Sequence, residues 1–178
     1  MKTIYDVQVT PEDRNNDGYK YQPELTPKLD ELDVDFDQNV INEIVLWKVN
    51  RYVSLDDETL ELINQIDKNA TEVDEELTKS VLKKLLNTNG VRLAMASTIL
   101  RFKNPKIYQI IDQRVYRFIY GEELKYPLKD IDEQIKIYLA YLQKLKEVCD
   151  EHKIDFVLAD RILYSMDKEH NKNIKIAT

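Results

Sequence analysis

Only three glycines and five prolines punctuate the 178 residues of this chain. Loop-rich all-β folds draw heavily on both residues for their turns, so the scarcity disfavours them and suits helices. Apolar spacing says where the helices run. "DEQIKIYLAYLQKLKEVCDEHK" (132–153) predicts one long amphipathic helix, and "DFVLADRILYSMDKEHN" (155–171) predicts the last. Upstream, "NVINEIVLWKVNRY" places Val40, Ile44, Trp47 and Arg51 along one side of a helix, with Ile41 and Val45 beside it. "SLDD" at 54–57 and "TEVD" at 71–74 resemble capping boxes with Asp in place of Glu, announcing helices over about 56–67 and 72–87. "VRLAMASTILRF" reads as a short helix rich in small residues. A further helix runs from Asp112 to about Tyr120, closed by Gly121 as its C′ residue.

The N-terminal stretch is different. Residues 10–37 hold three of the five prolines and little periodicity, with "DGY" a turn signal, and residues 3–9 leave room for a short strand. The expected organisation is therefore an irregular N-terminal arm over 1–37 and a single all-helical domain over 38–178.

A hydrophobic share of 43% beside 33% charged residues describes a soluble globular chain rather than a disordered one. No apolar stretch approaches the ~18 residues of a membrane span. "MKTIYDVQVTPED" has no apolar core of a leader peptide. The single cysteine, Cys149, cannot form an internal disulfide or bind zinc alone, and His152 and His170 lack metal-ligand spacing. The expectation is a reduced, cytoplasmic protein with no cofactor, no metal and no membrane partner.

The net charge of −7 argues against a nucleic-acid partner until it is divided along the chain. Residues 1–80 carry 20 acids and 8 bases, and residues 121–178 carry 12 acids and 10 bases. Between them, residues 81–120 carry eight bases (Lys83, Lys84, Arg92, Arg101, Lys103, Lys106, Arg114, Arg117) and one acid, Asp112. Such a patch can attract phosphate on an acidic protein, because screening confines distant charge to within about 10 Å. It can equally be a solvated basic face.

The same window holds "LLNTNGVRLAMAS" (85–97), in which Asn89-Gly90 signals a turn between two helices. A helix starting just after Gly90 would point free backbone N–H groups at an anion, a DNA phosphate among them. Ala94, Ala96 and Ser97 keep that helix thin, so its partner can pack closely. The run continues through a Pro-containing loop, "KNPKIYQI", to "IDQRVYRF", with Asp112 22 residues after Gly90 and Arg117 five residues after Asp112.

This arrangement resembles the helix-hairpin-helix DNA glycosylase superfamily, as a divergent member. The superfamily's pattern is a Gly-Val-Gly hairpin, an Ala in a thin helix, a Pro loop and then Asp-x-x-Val-x-Arg. The resemblance covers about residues 82–120 closely, with the hairpin at about 82–97 and the Asp112 helix at about 112–120. By helix order it extends loosely from about 38 onward. It implies an all-α glycosylase-like core and duplex DNA, a damaged base included, as the partner. Gly90 and Val91 take the hairpin, Ala96 the thin helix, Pro105 the loop and Asp112 the catalytic position. Two departures stand out: Asn89 replaces the hairpin's usual Pro, and Arg92 replaces its second Gly. Where lyase-active members carry a Schiff-base lysine, this chain has Ala94, so the implied activity is monofunctional hydrolysis of an N-glycosidic bond. No cysteine cluster matches the iron–sulfur centre of some relatives.

Asp112 has two readings. A short polar side chain before "QRVYRFIYG" is a helix N-cap. A carboxylate at that place is also held ionised by the helix dipole, with Arg114 and Arg117 expected to reinforce it, and can orient water or stabilise charge developing on C1′. The expected DNA-binding residues are Gly90, Val91, Arg92, Arg101, Lys103, Lys106, Arg114 and Arg117, with Lys48 and Arg51 from "WKVNR". Trp47, Tyr52, Tyr108 and Tyr116 are available to sandwich a flipped base, although aromatics at helical spacing are more often core. Two other readings stay open. One is a non-catalytic binding module of the same fold; the other is a protein-interaction domain that uses the acidic N-terminal arm.

Overall fold

The computed structural model describes residues 22–49, 52–125 and 130–176. Among them every regular element is helical, and none of these helices is long and apolar enough to cross a membrane. The expected strand at 3–9, the "DGY" turn and Arg51 lie outside the described residues. Two compact units divide the chain, Met1–Tyr52 and Val53–Thr178.

In the first unit, α1 (Leu25–Asp30) lies inside the segment expected to be irregular. Its Pro27 falls in the first turn, where a missing N–H breaks no helical bond, so proline did not exclude a helix there. Helix α2 (Gln38–Lys48) begins on Asp37, whose carboxylate accepts from the amides of Asn39 and Val40 at 2.9 Å each. Trp47 Nε1 donates to Thr26 Oγ1 at 2.9 Å, and Lys28 pairs with Glu43, so α1 and α2 are held side by side.

The second unit contains α3 (Asp57–Asn64), α4 (Glu75–Asn87), α5 (Leu93–Lys103), α6 (Gln113–Tyr120), α7 (Ile131–His152) and α8 (Ala159–His170), with a 3-10 turn (Phe156–Leu158) before α8. The caps of α3 and α4 differ from expectation. Asp56 accepts from the Thr59 amide at 2.7 Å and Asp74 from the Leu77 amide at 3.0 Å, in place of Ser54 and Thr71. A carboxylate next to the first turn satisfies the same amides and also meets the positive end of the helix dipole.

Helix α7 organises the core. Ile135, Tyr138, Leu142, Leu145 and Cys149 recur at alternating three- and four-residue steps and are all buried. They meet Val81, Leu82 and Leu85 of α4, Leu93 and Leu100 of α5, and Val115 of α6 in one apolar cluster. Each fully buried leucine in it contributes about 2 kcal/mol. Burial pushes the Cys149 thiol up to about 11, so it is protonated at neutral pH and acts as packing.

Helix α6 ends on Gly121, whose N–H donates to the Arg117 carbonyl at 2.8 Å with φ at +74°. Nothing lies within 4 Å of where a Cβ would project, so any cost of a side chain there is conformational. Gly121→Ala should destabilise the protein by about 1 kcal/mol and Gly121→Asn by less, read from urea denaturation midpoints. An alanine variant as stable as the parent would show that α6 does not end in a left-handed turn.

Candidate functional site

Helices α4 and α5 flank the turn at Asn89-Gly90, the place of the expected hairpin. The turn closes with the Val91 amide donating to the Thr88 carbonyl at 3.1 Å, and Gly90 takes φ +84° on the exposed side. Val91 and Leu93 are buried and pin the turn from within. Arg92 is the N-cap of α5 and gives it no side-chain capping bond. Ala96 is fully buried, which lets the second helix pack closely, while Ala94 is exposed.

Residues 104–111 then carry the chain back to Asp112, tied down at nearly every step. Asn104 Nδ2 donates to the carbonyls of Asp67 (2.8 Å) and Ala70 (3.0 Å), and its Oδ1 accepts from the Lys106 amide at 2.9 Å. Two buried tyrosines of α7 donate to this segment: Tyr138 to the Gln109 carbonyl at 3.0 Å and Tyr141 to the Ile110 carbonyl at 2.8 Å. Burial pushes both phenols well above their usual range, so they remain donors. Tyr108 pairs with the Thr78 hydroxyl at 2.6 Å.

The last tie is to the hairpin itself. Ser97 Oγ donates to the Ala94 carbonyl at 2.8 Å and accepts from the Ile111 amide at 3.2 Å. One buried hydroxyl thus joins the turn of α5 that carries Ala94 to the residue before Asp112. Ser97 entered the sequence reading only as a small residue. That it bridges two segments depends on a chain reversal that local spacing does not encode.

Asp112 is half-buried and caps α6, its Oδ1 accepting from the Arg114 amide at 2.7 Å. It takes no ion pair among the described residues. Arg114 and Arg117 were expected to reinforce it, but both guanidiniums turn to Asp167 of α8. Arg117 Nε and Nη2 donate to the two Asp167 oxygens at 2.8 Å each, Arg114 Nη1 donates at 3.1 Å, and Asn171 Nδ2 adds a fourth bond at 2.8 Å. Arg117 Nη1 also donates to the Ile174 carbonyl at 3.1 Å. Burial alone would raise the Asp167 carboxyl, but the hydrogen bonds from Arg117, Asn171 and Arg114, with the Arg117 charge, hold it below the usual carboxylate range.

The basic stretch is correspondingly thinner than its composition. Arg117 is buried against Asp167, and Arg101 is buried with Nη2 on the Val157 carbonyl at 3.1 Å and Asp160 at 4.0 Å, so neither presents its charge to phosphate. Arg114 is half-buried and paired. Lys83 pairs with Asp132 at 3.0 Å and Lys84 with Glu58 at 2.6 Å. Arg92, Lys103 and Lys106 are the three of the eight without an acidic partner among the described residues, although Lys103 Nζ reaches Asn64 Oδ1 at 3.0 Å. Val91, also expected to touch DNA, contributes its buried side chain to the core. Lys48 is exposed and belongs to the first unit.

Of the aromatics named for a base sandwich, Tyr108 is core, and Tyr116 stacks on Tyr120 at 4.4 Å between ring centroids. Trp47 and Tyr52 belong to the first unit. Among the described residues of the second unit, one cavity of about 650 Å³ lies beside Lys83 and Thr88 and another of about 760 Å³ beside Lys106 and Cys149. Asp112 lines neither of them. Among the described residues no group of three or more His, Cys, Asp or Glu side chains is placed to hold a metal.

The Asp167 cluster has a pH signature. Its folded pKa is below the unfolded value, so its contribution is complete above about pH 4 and is lost as pH falls through the folded value. Asp167→Asn should cost about 3–5 kcal/mol at pH 7, because buried Arg117 loses both of its close bonds to the carboxylate and keeps the longer pair with Glu123, at 3.9 Å. The difference from the parent should shrink as pH drops below about 4. A constant difference down to pH 2, measured by urea denaturation, would contradict an ionised Asp167.

Comparison with protein-family models, with curated proteins and with solved structures finds no match for this chain.

Proposed function

We propose that this chain is a DNA-binding domain of the helix-hairpin-helix glycosylase type, in which Asp112 assists monofunctional hydrolysis of an N-glycosidic bond. The observation that carries the reading is the Ser97 bridge. It sets the residue before Asp112 on the turn of α5 that holds Ala94, where lyase-type members would present an amine, and among the described residues Asp112 takes no ion pair. A carboxylate with one oxygen spent on a cap and the other available can face a developing positive charge.

The chemistry follows from those groups. The bond between C1′ and the base nitrogen breaks and its electron pair leaves with the base, placing positive charge on the sugar. Water adds to C1′, and its proton passes to Asp112 or to solvent. Ala94 has no amine, so no imine links protein and sugar. Gly90 at the exposed turn, with Arg92, Lys103 and Lys106, would meet the phosphate backbone in a salt-sensitive contact.

A second reading, a binding module without chemistry, is favoured by two observations: Asp112 lines neither cavity, and five of the eight central cations are occupied by acids or buried. One experiment separates the two. Abasic-site formation is followed over a panel of damaged-base duplexes, beside salt-dependent duplex binding, for the parent and Asp112→Asn. Asparagine also caps helices, so the variant should lose under about 1 kcal/mol of stability. Base release should fall by orders of magnitude while binding persists. Equal release from both proteins, or none from any duplex, would remove the catalytic role, and salt-sensitive binding would then select the module.

A further inference from the structure

Asp112 is followed by Arg114 and Arg117 on the first turns of its own helix, the arrangement in which a guanidinium would ordinarily close on an ionised cap. The Arg117 guanidinium is pushed up first by its hydrogen bonds to Asp167, then by the charges of Asp167, Glu123 and Asp112, so Asp112 is near enough to be felt. Yet neither arginine pairs with it. The competition between the two carboxylates decides this. Asp167 is fully buried and Asp112 half-exposed. Leaving a buried carboxylate unpaired costs more than an ion pair at a half-exposed site returns, so Asp167 holds both cations.

We propose that Asp167 is a positioning residue for Asp112: it takes both guanidiniums out of that carboxylate's reach and so keeps Asp112 open to a ligand. The role deepens the base-excision reading and rests on it for what the ligand is. It also makes the helix pair α6–α8, and with it the Ile174 carbonyl that receives Arg117, part of the site's support.

The test is a pair of double-mutant cycles on the full chain, read by urea denaturation, so that it does not depend on turnover. In the parent, Asp112→Asn and Arg114→Gln should be additive, because the two side chains do not pair; a non-additive result overturns the proposal. In the Asp167→Asn background the freed Arg114 should turn to Asp112, while Arg117 keeps Glu123, whose Oε1 lies 3.9 Å from its Nη1. Adding Asp112→Asn there should lower the folding equilibrium constant about two- to fivefold beyond its effect in the parent. Equal effects in the two backgrounds overturn the proposal. If Asp167→Asn alone does not fold, Arg117→Gln/Asp167→Asn removes the buried charge with its partner and leaves Arg114 without its acceptor, so the same comparison holds. A parent that releases no base defeats the base-excision reading while the cycles still decide this one.

Discussion

Four donors converge on the Asp167 carboxylate, and the rest of the candidate site depends on that convergence. Arg114 and Arg117 come from α6, which Asp112 caps, and Asn171 comes from just beyond the end of α8. Three charges buried or half-buried in this way are costly to bring out of water, and they are tolerated only because every Asp167 lone pair in use meets a well-aligned N–H. The arrangement fixes α6 against α8 more sharply than apolar packing alone would. It also pairs two of the eight central cations with an acid, which changes what the basic stretch can do.

A second set of bonds fixes the other side of Asp112. The segment over 104–111 meets part of its polar backbone itself, the Ile107 and Tyr108 amides donating to the Asn104 carbonyl, and needs side-chain partners for the rest. Tyr138 and Tyr141 on α7, Asn104 on its own loop and Ser97 on α5 supply those partners. The Asp112 turn is therefore held between the hairpin and the longest helix of the second unit. A hydrogen-bonded loop of this kind is how a folded protein keeps a carboxylate in one place without burying it.

Much of this architecture was legible in the sequence. Helix α7 was visible because its apolar residues keep a helical period over twenty-two residues, and Gly121 because α6 needs a left-handed stop. The hairpin turn and the capping role of Asp112 were legible for the same local reason. What local pattern could not reveal was pairing over distance. Asp167 lies 50 residues from Arg117 and 53 from Arg114, and Asp132 lies far from Lys83. A charge count over 81–120 therefore overstated the free positive surface. Helix α1 was missed because three prolines and little periodicity over 10–37 read as an irregular arm, whereas Pro27 sits within a first turn that tolerates it.

The Ser97 hydroxyl ties the Asp112 turn to the hairpin, and native-state hydrogen exchange at the Ile111 amide, in the parent and in Ser97→Ala, tests whether the two behave as one rigid unit. A rigid unit requires that this amide exchange only with global unfolding in the parent, and that its protection fall in the variant more than that of α7 amides. Exchange of Ile111 at the rate of an open surface loop in the parent would contradict it.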